Sequence, residues 1–252
     1  MDEQRYHALL ESPAPARFLV RAVSTNDEAK AWAKQGAPHG AAVLAGEQSG
    51  GRGRRGRGFF SPPGGLYLSV VLHPGTMSPG LLTTLAAVAA LRAVRRAGGP
   101  ELSIKWVNDL LYEGKKVGGI LTEGVTAPDG AARAVVGLGL NLGPAAFPPE
   151  LQETAGTLHG VWPGAPREEL AARIVNEILD GLPRVPAHLA EYRARCATLG
   201  RRVAYTLEGA EARGLAEDVD NEGRLLVRDG SRLVTVMEGE AVLLPETQRR
   251  PG

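Results

Sequence analysis

A segment from Gln48 to Phe60, with the sequence QSGGRGRRGRGFF, concentrates positive charge in a glycine-rich stretch. Glycine at this density predicts a mobile loop, because ordering glycine in a helix or strand costs the most backbone entropy. Glycine lets backbone N–H groups approach oxygens closely, and arginine adds permanently charged, bidentate donors. The segment therefore predicts an anion-binding loop, with phosphate the foremost ligand. Four arginines alternate with its glycines: Arg52, Arg54, Arg55 and Arg57.

This arginine loop has two other interpretations. Gly51 to Gly56 matches the dinucleotide fingerprint GxGxxG, but that fingerprint must open a helix, and here the chain continues into FFSPP. An acidic residue about 20 positions later at a strand end is missing as well. The second alternative is an RNA-binding module of the Arg-Gly type. It stays open, although the loop is short and lacks the repeats of such segments.

Two further motifs combine charged or polar groups with glycines. Lys105-Trp-Val-Asn-Asp109, followed by KKVGGIL up to Leu121, predicts a strand, a turn and a second strand that gather cations, a carboxylate and an amide at one sheet end. An ordinary hairpin with solvated charges fits this pattern equally well. The sequence GLGLNLG from Gly137 removes side chains where something must pack closely, and it places Asn141 on an otherwise apolar strand.

Hydrophobic periodicity indicates an α+β protein. The texture changes near Gly200 to short strands with turn signals, which suggests a small barrel. The capping-box pattern TNDE at Thr25 predicts the start of a helix. Helices are predicted over 79–97, 167–182 and about 186–199, strands over 41–45, 66–72, 102–106, 116–125 and 134–142, and turns over 108–115 and 127–132.

Composition limits the functional classes. The 252 residues carry 29 basic and 28 acidic side chains, so a net charge of +1 provides no global field that attracts nucleic acid or an anionic membrane. The single cysteine, Cys196, excludes an internal disulfide. Apolar runs stay below the roughly 18 residues of a membrane span, and the polar N-terminus does not resemble a signal peptide. We therefore expect a cytoplasmic protein.

Five motifs, taken together and in this order, resemble those of the biotin protein ligases. Each is weak alone, but the set covers nearly the whole chain from about residue 18. The motifs are Ser24-Thr-Asn26, Gln48 with Gly51-Arg-Gly-Arg-Arg-Gly56, Lys105-Trp-x-Asn-Asp109, Lys116-x-Gly-Gly119 and Gly137-x-Gly-x-Asn141.

The resemblance implies a fold and a reaction. The fold is a catalytic domain over 1–200 with a class II synthetase-like mixed sheet and flanking helices, followed by an SH3-like β-barrel domain over 201–252 with a frayed tail. The reaction joins biotin and MgATP into biotinyl-5′-AMP, and then transfers biotin to a lysine of the biotin carboxyl carrier protein of a carboxylase. A lipoate or octanoate protein ligase of the same fold is the alternative enzyme, disfavoured by the arginine loop and by Lys105-Trp-x-Asn-Asp109.

The resemblance also assigns roles to residues. Lys116 and Arg52 are expected to be catalytic, and Asp109 to bind Mg²⁺. Some of the expected biotin-binding residues bind the end of the ligand where its carboxyl group meets the phosphate. The full set is Ser24, Thr25, Asn26, Gln48, Gly51, Arg52, Gly53, Arg54, Lys116 and Gly119. The expected ATP-binding residues are Arg54, Arg57, Lys105, Asn108 and Asn141.

The sequence departs from the family pattern at two positions, and it carries two expectations about assembly. Val107 stands where many relatives have proline, which is expected to loosen the turn without touching the chemistry. Phe59 stands where a tryptophan is often found, so packing on the adenylate is expected to differ. About 17 residues precede the first core strand, too few for the helix-turn-helix of the repressor relatives, so specific DNA binding is not expected. A homodimer formed by edge-strand pairing is expected from the resemblance alone.

Overall fold

The computed structural model describes residues 2–162, 164–207, 210–237 and 241–244. These residues form a seven-stranded mixed sheet with helices on both faces and a separate five-stranded antiparallel sheet. The predicted α+β class is confirmed. Across the described ranges, no helix has the length and apolar character needed to span a bilayer.

The large sheet has the strand order β1-β2-β3-β7-β6-β5-β4, in which only β1 and β2 pair in parallel. Its register places Ser69 beside Gly137, and Gly139 beside Gly119, in neighbouring central strands. The strands are β1 (Ala16–Leu19), β2 (Ala42–Ala45), β3 (Leu66–Leu72), β4 (Ser103–Lys105), β5 (Asp109–Tyr112), β6 (Lys115–Thr126) and β7 (Ala132–Leu140).

The helices are α1 (Glu3–Leu9), α2 (Thr25–Ala33), α3 (Pro79–Arg96), α4 (Arg167–Gly181) and α5 (Val185–Arg195). Helix α2 packs on one face of the sheet, and its alanines contact Val43, Val71 and Val135. On the other face α3 lies between the sheet and helices α4 and α5, which explains its Leu- and Ala-rich sequence. Ser78 caps α3 by accepting a hydrogen bond from the Leu81 N–H at 3.2 Å.

The smaller sheet contacts the part of the chain that carries the large sheet through the turn at residues 220–224 and the end of the strand that precedes it. Ser78 Oγ donates to the Glu222 carbonyl at 3.3 Å, and Trp106 Nε1 donates to the Gly223 carbonyl at 3.0 Å. Arg193 Nε donates to the Val219 carbonyl at 2.8 Å. Its strands are β8 (Arg202–Leu207), β9 (Ala210–Val219), β10 (Leu225–Asp229), β11 (Arg232–Val236) and β12 (Ala241–Leu243), in the order β11-β10-β9-β8-β12.

Most predicted elements are present, with several differences. The prediction that 108–115 is only a turn is wrong, because Asp109–Tyr112 is strand β5. Helix α1 was not predicted, and α5 ends at Arg195 rather than near 199. Ser24 is the N-cap of α2 without a side-chain cap bond, whereas the Thr25 hydroxyl binds Gln48. The tail predicted to fray, 246–252, lies outside the described residues.

Candidate functional site

The floor of the site is formed by glycines of β6 and β7, on the sheet face that carries α2. A Cβ atom at Gly137 would overlap the Asn26 side-chain oxygen, and one at Gly139 would overlap the Phe59 ring. A Cβ atom at Gly119 would approach Phe59 and Lys116 to 3.3–3.4 Å. The sequence predicted close packing at these glycines, and the structure identifies Asn26 and Phe59 as the groups that pack there.

The start of α2 contributes a buried polar cluster on one side of this floor. Ser24, Thr25 and Asn26 are only 2–4% exposed. The Thr25 N–H and hydroxyl both donate to Gln48 Oε1, at 2.8 and 3.0 Å. Gln48 Nε2 in turn donates to Ser61 Oγ at 3.0 Å. The predicted biotin-binding residues of this region are therefore brought together and held in fixed orientations.

Ser69 belongs to the same cluster and was missed by the sequence reasoning. Its fully buried hydroxyl lies 2.6 Å from Asn26 Oδ1 and 2.8 Å from Thr25 Oγ1. Asn26 Nδ2 donates to Glu123 Oε2 at 2.8 Å and to the Leu121 carbonyl at 3.3 Å. A serine in the middle of the apolar strand LYLSVVL was the available signal, since a buried hydroxyl needs a partner.

A group of four charged residues lies at the rim of the cluster. Glu123 Oε1 accepts from Lys30 Nζ at 2.7 Å, and Arg52 is ion-paired with Asp27 and lies 3.5 Å from Glu123 Oε2. Burial opposes ionisation of Glu123, but hydrogen bonds from Lys30 and Asn26, together with the charges on Lys30 and Arg52, give the carboxyl group a lowered pKa. Arg52 is therefore already paired with carboxylates beside the site.

The arginine loop folds back on itself as a narrow hairpin. Arg52 bridges to Gly58, and the Gly53 N–H donates to the Arg57 carbonyl at 2.7 Å. One turn of 3₁₀ helix, Arg54–Gly56, closes the tip, and the Arg57 side chain is exposed there. A Cβ atom at Gly51 would overlap Ser61 Oγ. The first strand of the hairpin can therefore pass this close to Ser61 only because residue 51 is glycine.

The turn between β4 and β5 meets the arginine loop from the opposite side. Arg54 donates to Asn108 Oδ1 at 3.2 Å, and Asn108 Nδ2 donates to the Ile120 carbonyl at 2.9 Å. The Trp106 N–H donates to Thr198 Oγ1 at 2.9 Å, and Tyr192 donates to the Val107 carbonyl at 3.0 Å. The turn is thus held by the large sheet on one side and by residues near the smaller sheet on the other.

Lys116 and Asp109 form an ion pair on the neighbouring strands, with Nζ 2.5 Å from Oδ1. The same ammonium group lies 5.7 Å from the centre of the Phe59 ring. Lys105 stands opposite Asp109 in the β4–β5 ladder, so both side chains leave the same face of the sheet. The structure therefore places Lys105, Asp109 and Lys116 close to one another at the predicted sheet end.

Asn141 lies just beyond β7 and is 7% exposed. Its N–H donates to the Val117 carbonyl at 2.8 Å and its Nδ2 to the Gly156 carbonyl at 2.9 Å, whereas its buried Oδ1 has no hydrogen-bond partner in the described structure. Val117 and Gly156 also line an open cavity of about 600 Å³ together with Phe147. The buried Asn141 amide oxygen is thus an unsatisfied acceptor, and its neighbours rather than Asn141 itself line the cavity.

A protein-only metal centre is not present among the residues that the structure describes, because no three His, Cys, Asp or Glu side chains are grouped closely enough to hold an ion. Asp109 therefore stands as a single carboxylate. Mg²⁺ commonly uses one or two protein carboxylates and takes its other ligands from substrate phosphates and water. The residues present fit that mode of binding.

Comparison with known proteins agrees with this geometry. Residues 19–141 match the model of the biotin/lipoate A/B protein ligase family, and residues 198–244 match the biotin protein ligase C-terminal domain. A biotin--[acetyl-CoA-carboxylase] ligase from Paracoccus denitrificans is 37% identical over 84% of this chain and 93% of its own length. The corresponding ligase of Mycobacterium tuberculosis is 36% identical over 88% of this chain and 86% of its own length. The chain belongs to the biotin protein ligase family.

A solved relative supports the same family assignment at the level of structure. The biotin protein ligase of Aquifex aeolicus, solved with biotin and ATP, superimposes with a TM-score of 0.78 and 25% identity, covering 91% of this chain and 98% of that chain. The first family match, 19–141, contains all the predicted site residues from Ser24 to Asn141. In this member of the biotin protein ligases, the glycine floor of β6 and β7 is surrounded by the α2 cluster and the Lys116–Asp109 pair, whereas the Arg57 side chain is exposed at the tip of the hairpin.

Proposed function

We propose that this chain activates biotin with ATP and transfers the biotinyl group to a lysine of a carboxylase carrier protein. The observation that carries the proposal is the sheet end where Arg54, Asn108 and the Lys116–Asp109 ion pair surround a glycine floor. A neutral polar cluster lies on one side of that floor and concentrated cationic groups lie on the other. Biotin, with a neutral ureido ring and an anionic carboxylate, presents both kinds of group.

In the first step a carboxylate oxygen of biotin attacks the α-phosphorus of ATP. The new O–P bond gives biotinyl-5′-AMP, and the bond to the β-phosphate breaks to release pyrophosphate. Two anions must approach each other, so fixed cations lower the barrier. Lys116 supplies such a cation when it leaves Asp109 for the reacting oxygens, and Arg52, held beside them by Asp27 and Glu123, supplies another.

When the Lys116–Asp109 ion pair separates, each of the two residues becomes free to bind ATP or its metal ion. Lys116 is released toward the phosphates, and Asp109 would be the carboxylate that holds Mg²⁺ brought in with ATP. The bound ion would neutralise phosphate charge. Asn141, Lys105 and Arg57 are assigned to the nucleotide.

In the second step the neutral amine of a carrier lysine attacks the acyl carbon of the adenylate. A C–N bond forms, the bond to the phosphate oxygen breaks, AMP leaves, and the amine loses a proton to solvent. The adenylate is a mixed anhydride that water hydrolyses, so the intermediate needs a cover. The arginine hairpin, which joins the α2 side to the β4–β5 turn, is the element assigned to that role.

The decisive experiment measures pyrophosphate released from ATP in the absence of acceptor protein. Biotin should stimulate release, whereas lipoate and octanoate should not. Release with lipoate instead of biotin would assign the chain to the lipoate branch of the family. Absence of release with any of these acids, combined with tight RNA binding, would support the Arg-Gly interpretation of the loop.

The remaining assignments belong to the same proposal. We propose a cytoplasmic enzyme with a catalytic domain over 1–200, a second domain over 201–252, no sequence-specific DNA binding and a homodimer. The two sheets share no strand pairing in the described residues, and β1 and β4 are the edge strands of the large sheet. Sedimentation with and without biotin plus ATP tests the dimer, and a gel shift at physiological salt tests DNA binding.

A further inference from the structure

Glu123 touches both halves of the site. It stands on β6, and its Oε2 accepts a hydrogen bond from Asn26 Nδ2 at 2.8 Å. Its Oε1 accepts one from Lys30 Nζ at 2.7 Å, and Arg52 lies 3.5 Å from Oε2. One carboxylate thereby connects the buried polar cluster to the first arginine of the hairpin.

The contact with Asn26 fixes the direction of its amide group. A carboxylate only accepts hydrogen bonds, so the amide nitrogen must face Glu123, and the amide oxygen then faces the Ser69 hydroxyl at 2.6 Å and packs on Gly137. Rotation of the amide by 180° would bring its oxygen against the carboxylate. Glu123, with the Leu121 carbonyl that accepts from the same nitrogen, therefore turns the Asn26 oxygen toward the polar cluster.

The contact with Arg52 is shared with a second carboxylate. Asp27, in the first turn of α2, pairs with Arg52 and lies 3.3 Å from Lys30. The Asn26 amide, however, bonds to Ser69, Leu121 and Glu123, so Asp27 takes no part in orienting it. Both carboxylates thus contact Arg52, but only the Glu123 carboxylate is bonded to the Asn26 amide.

We propose that Glu123 is a positioning residue that holds Asn26 and Arg52 in register, so that the biotin-binding side and the phosphate-binding side act on one substrate molecule. This inference rests on the function proposed above. It predicts that Glu123 influences both biotin affinity and retention of biotinyl-AMP, whereas Asp27 influences retention alone.

Three variants and two measurements test it: Glu123→Gln, Glu123→Asp and Asp27→Asn, each assayed for the biotin dissociation constant without ATP and for the release rate of biotinyl-AMP. Glu123→Gln should weaken biotin binding about tenfold and speed release, because the hydrogen bond from Asn26 loses its charge assistance and the ion pair with Arg52 is lost. Asp27→Asn should speed release and leave the biotin constant within about twofold. Glu123→Asp keeps the negative charge near Arg52 but is too short to reach Asn26, so it should weaken biotin binding and speed release less than Glu123→Gln does.

The outcomes separate this inference from the proposed function. If the unchanged protein neither binds biotin nor releases pyrophosphate with it, the proposed function fails and this inference fails with it. If the unchanged protein is active but Glu123→Gln binds biotin normally, or Asp27→Asn weakens biotin binding equally, only the inference is overturned. Thermal unfolding identifies a misfolded variant; should Glu123→Gln misfold, normal biotin binding by Glu123→Asp overturns the proposal and weakened binding supports it.

Discussion

On the α2 side of the site, Thr25, Asn26 and Ser69 are almost completely buried and bonded to one another, whereas Lys116 and Asp109 on the β5–β6 side form an ion pair that is partly exposed to solvent. Buried neutral hydrogen bonds fix orientations before a ligand arrives. A partly exposed ion pair is weak and can exchange partners. The comparison indicates a preorganised side that selects the substrate and an exchangeable side that meets the developing charge.

The largest effect is expected for Lys116→Ala, which removes a cation from the exchangeable side. Adenylate formation should slow by about 100-fold or more, since fixed charges near a phosphoryl transfer contribute at that scale. Lys115→Ala is the matched control, because the Lys115 ammonium donates at 3.4 Å to the Gln152 carbonyl, on the protein surface away from the Asp109 carboxylate. Single-turnover adenylation measures both, and normal rates in Lys116→Ala would exclude the catalytic role.

Gly137→Ala tests the preorganised side. The new methyl group would displace the Asn26 amide and remove the bond that the Ser69 hydroxyl donates to it. We expect a loss of about 1–3 kcal/mol in the free energy of unfolding and about tenfold weaker biotin binding. Gly124→Ala on the next strand is the control, since no heavy atom lies within 4 Å of the added Cβ. Urea unfolding and calorimetric titration with biotin should separate the two variants.

Arg52→Ala tests the junction between the two sides. Loss of its ion pairs should release biotinyl-AMP about tenfold faster and allow indiscriminate biotinylation of other lysines. Arg55→Lys, at the exposed tip of the hairpin, should leave release unchanged. Limited proteolysis should show ligand protection of the hairpin in the unchanged protein and reduced protection in Arg52→Ala. Equal cleavage with and without ligand in the unchanged protein would contradict loop closure.

The smallest effect is expected for Trp106→Phe, which keeps the aromatic packing but loses the hydrogen bond to the Gly223 carbonyl. We expect about 1 kcal/mol lower stability and a KM for ATP raised a few-fold, with the biotin constant unchanged. The reason is that Trp106 supports the turn that presents Asn108 and Asp109, which belong to the exchangeable side alone. A raised biotin constant in this variant would show that the two sides are not separable.

The sequence predicted the helices, the strands and many of the residues at the site better than it predicted which residues bond to one another there. Strand Leu66–Leu72 was predicted with its observed bounds, because Gly-Gly and His-Pro mark the two ends of a run that is rich in strand-forming residues. Strand Asp109–Tyr112 was missed, since a four-residue strand next to turn residues lacks a readable period.

Partner choice within the site depends on register, which short motifs do not contain. Thr25 has the sequence of a helix cap, but the folded chain places Gln48 within reach of its hydroxyl. Ser69 and Glu123 became site residues only because β3, β7 and β6 align at Gly137. Pairings of this kind are long-range in the chain and follow from the sheet as a whole.

The hydrogen bond from Trp106 to Gly223 joins residues 117 positions apart. Because a chain leaves the ribosome N-terminus first, the large sheet is synthesised well before its partner turn. Nascent chains that end short of residue 223 lack the contact that supports Asn108 and Asp109 from the far side. The order of synthesis therefore delays completion of the ATP-side turn until at least residue 223 has been translated.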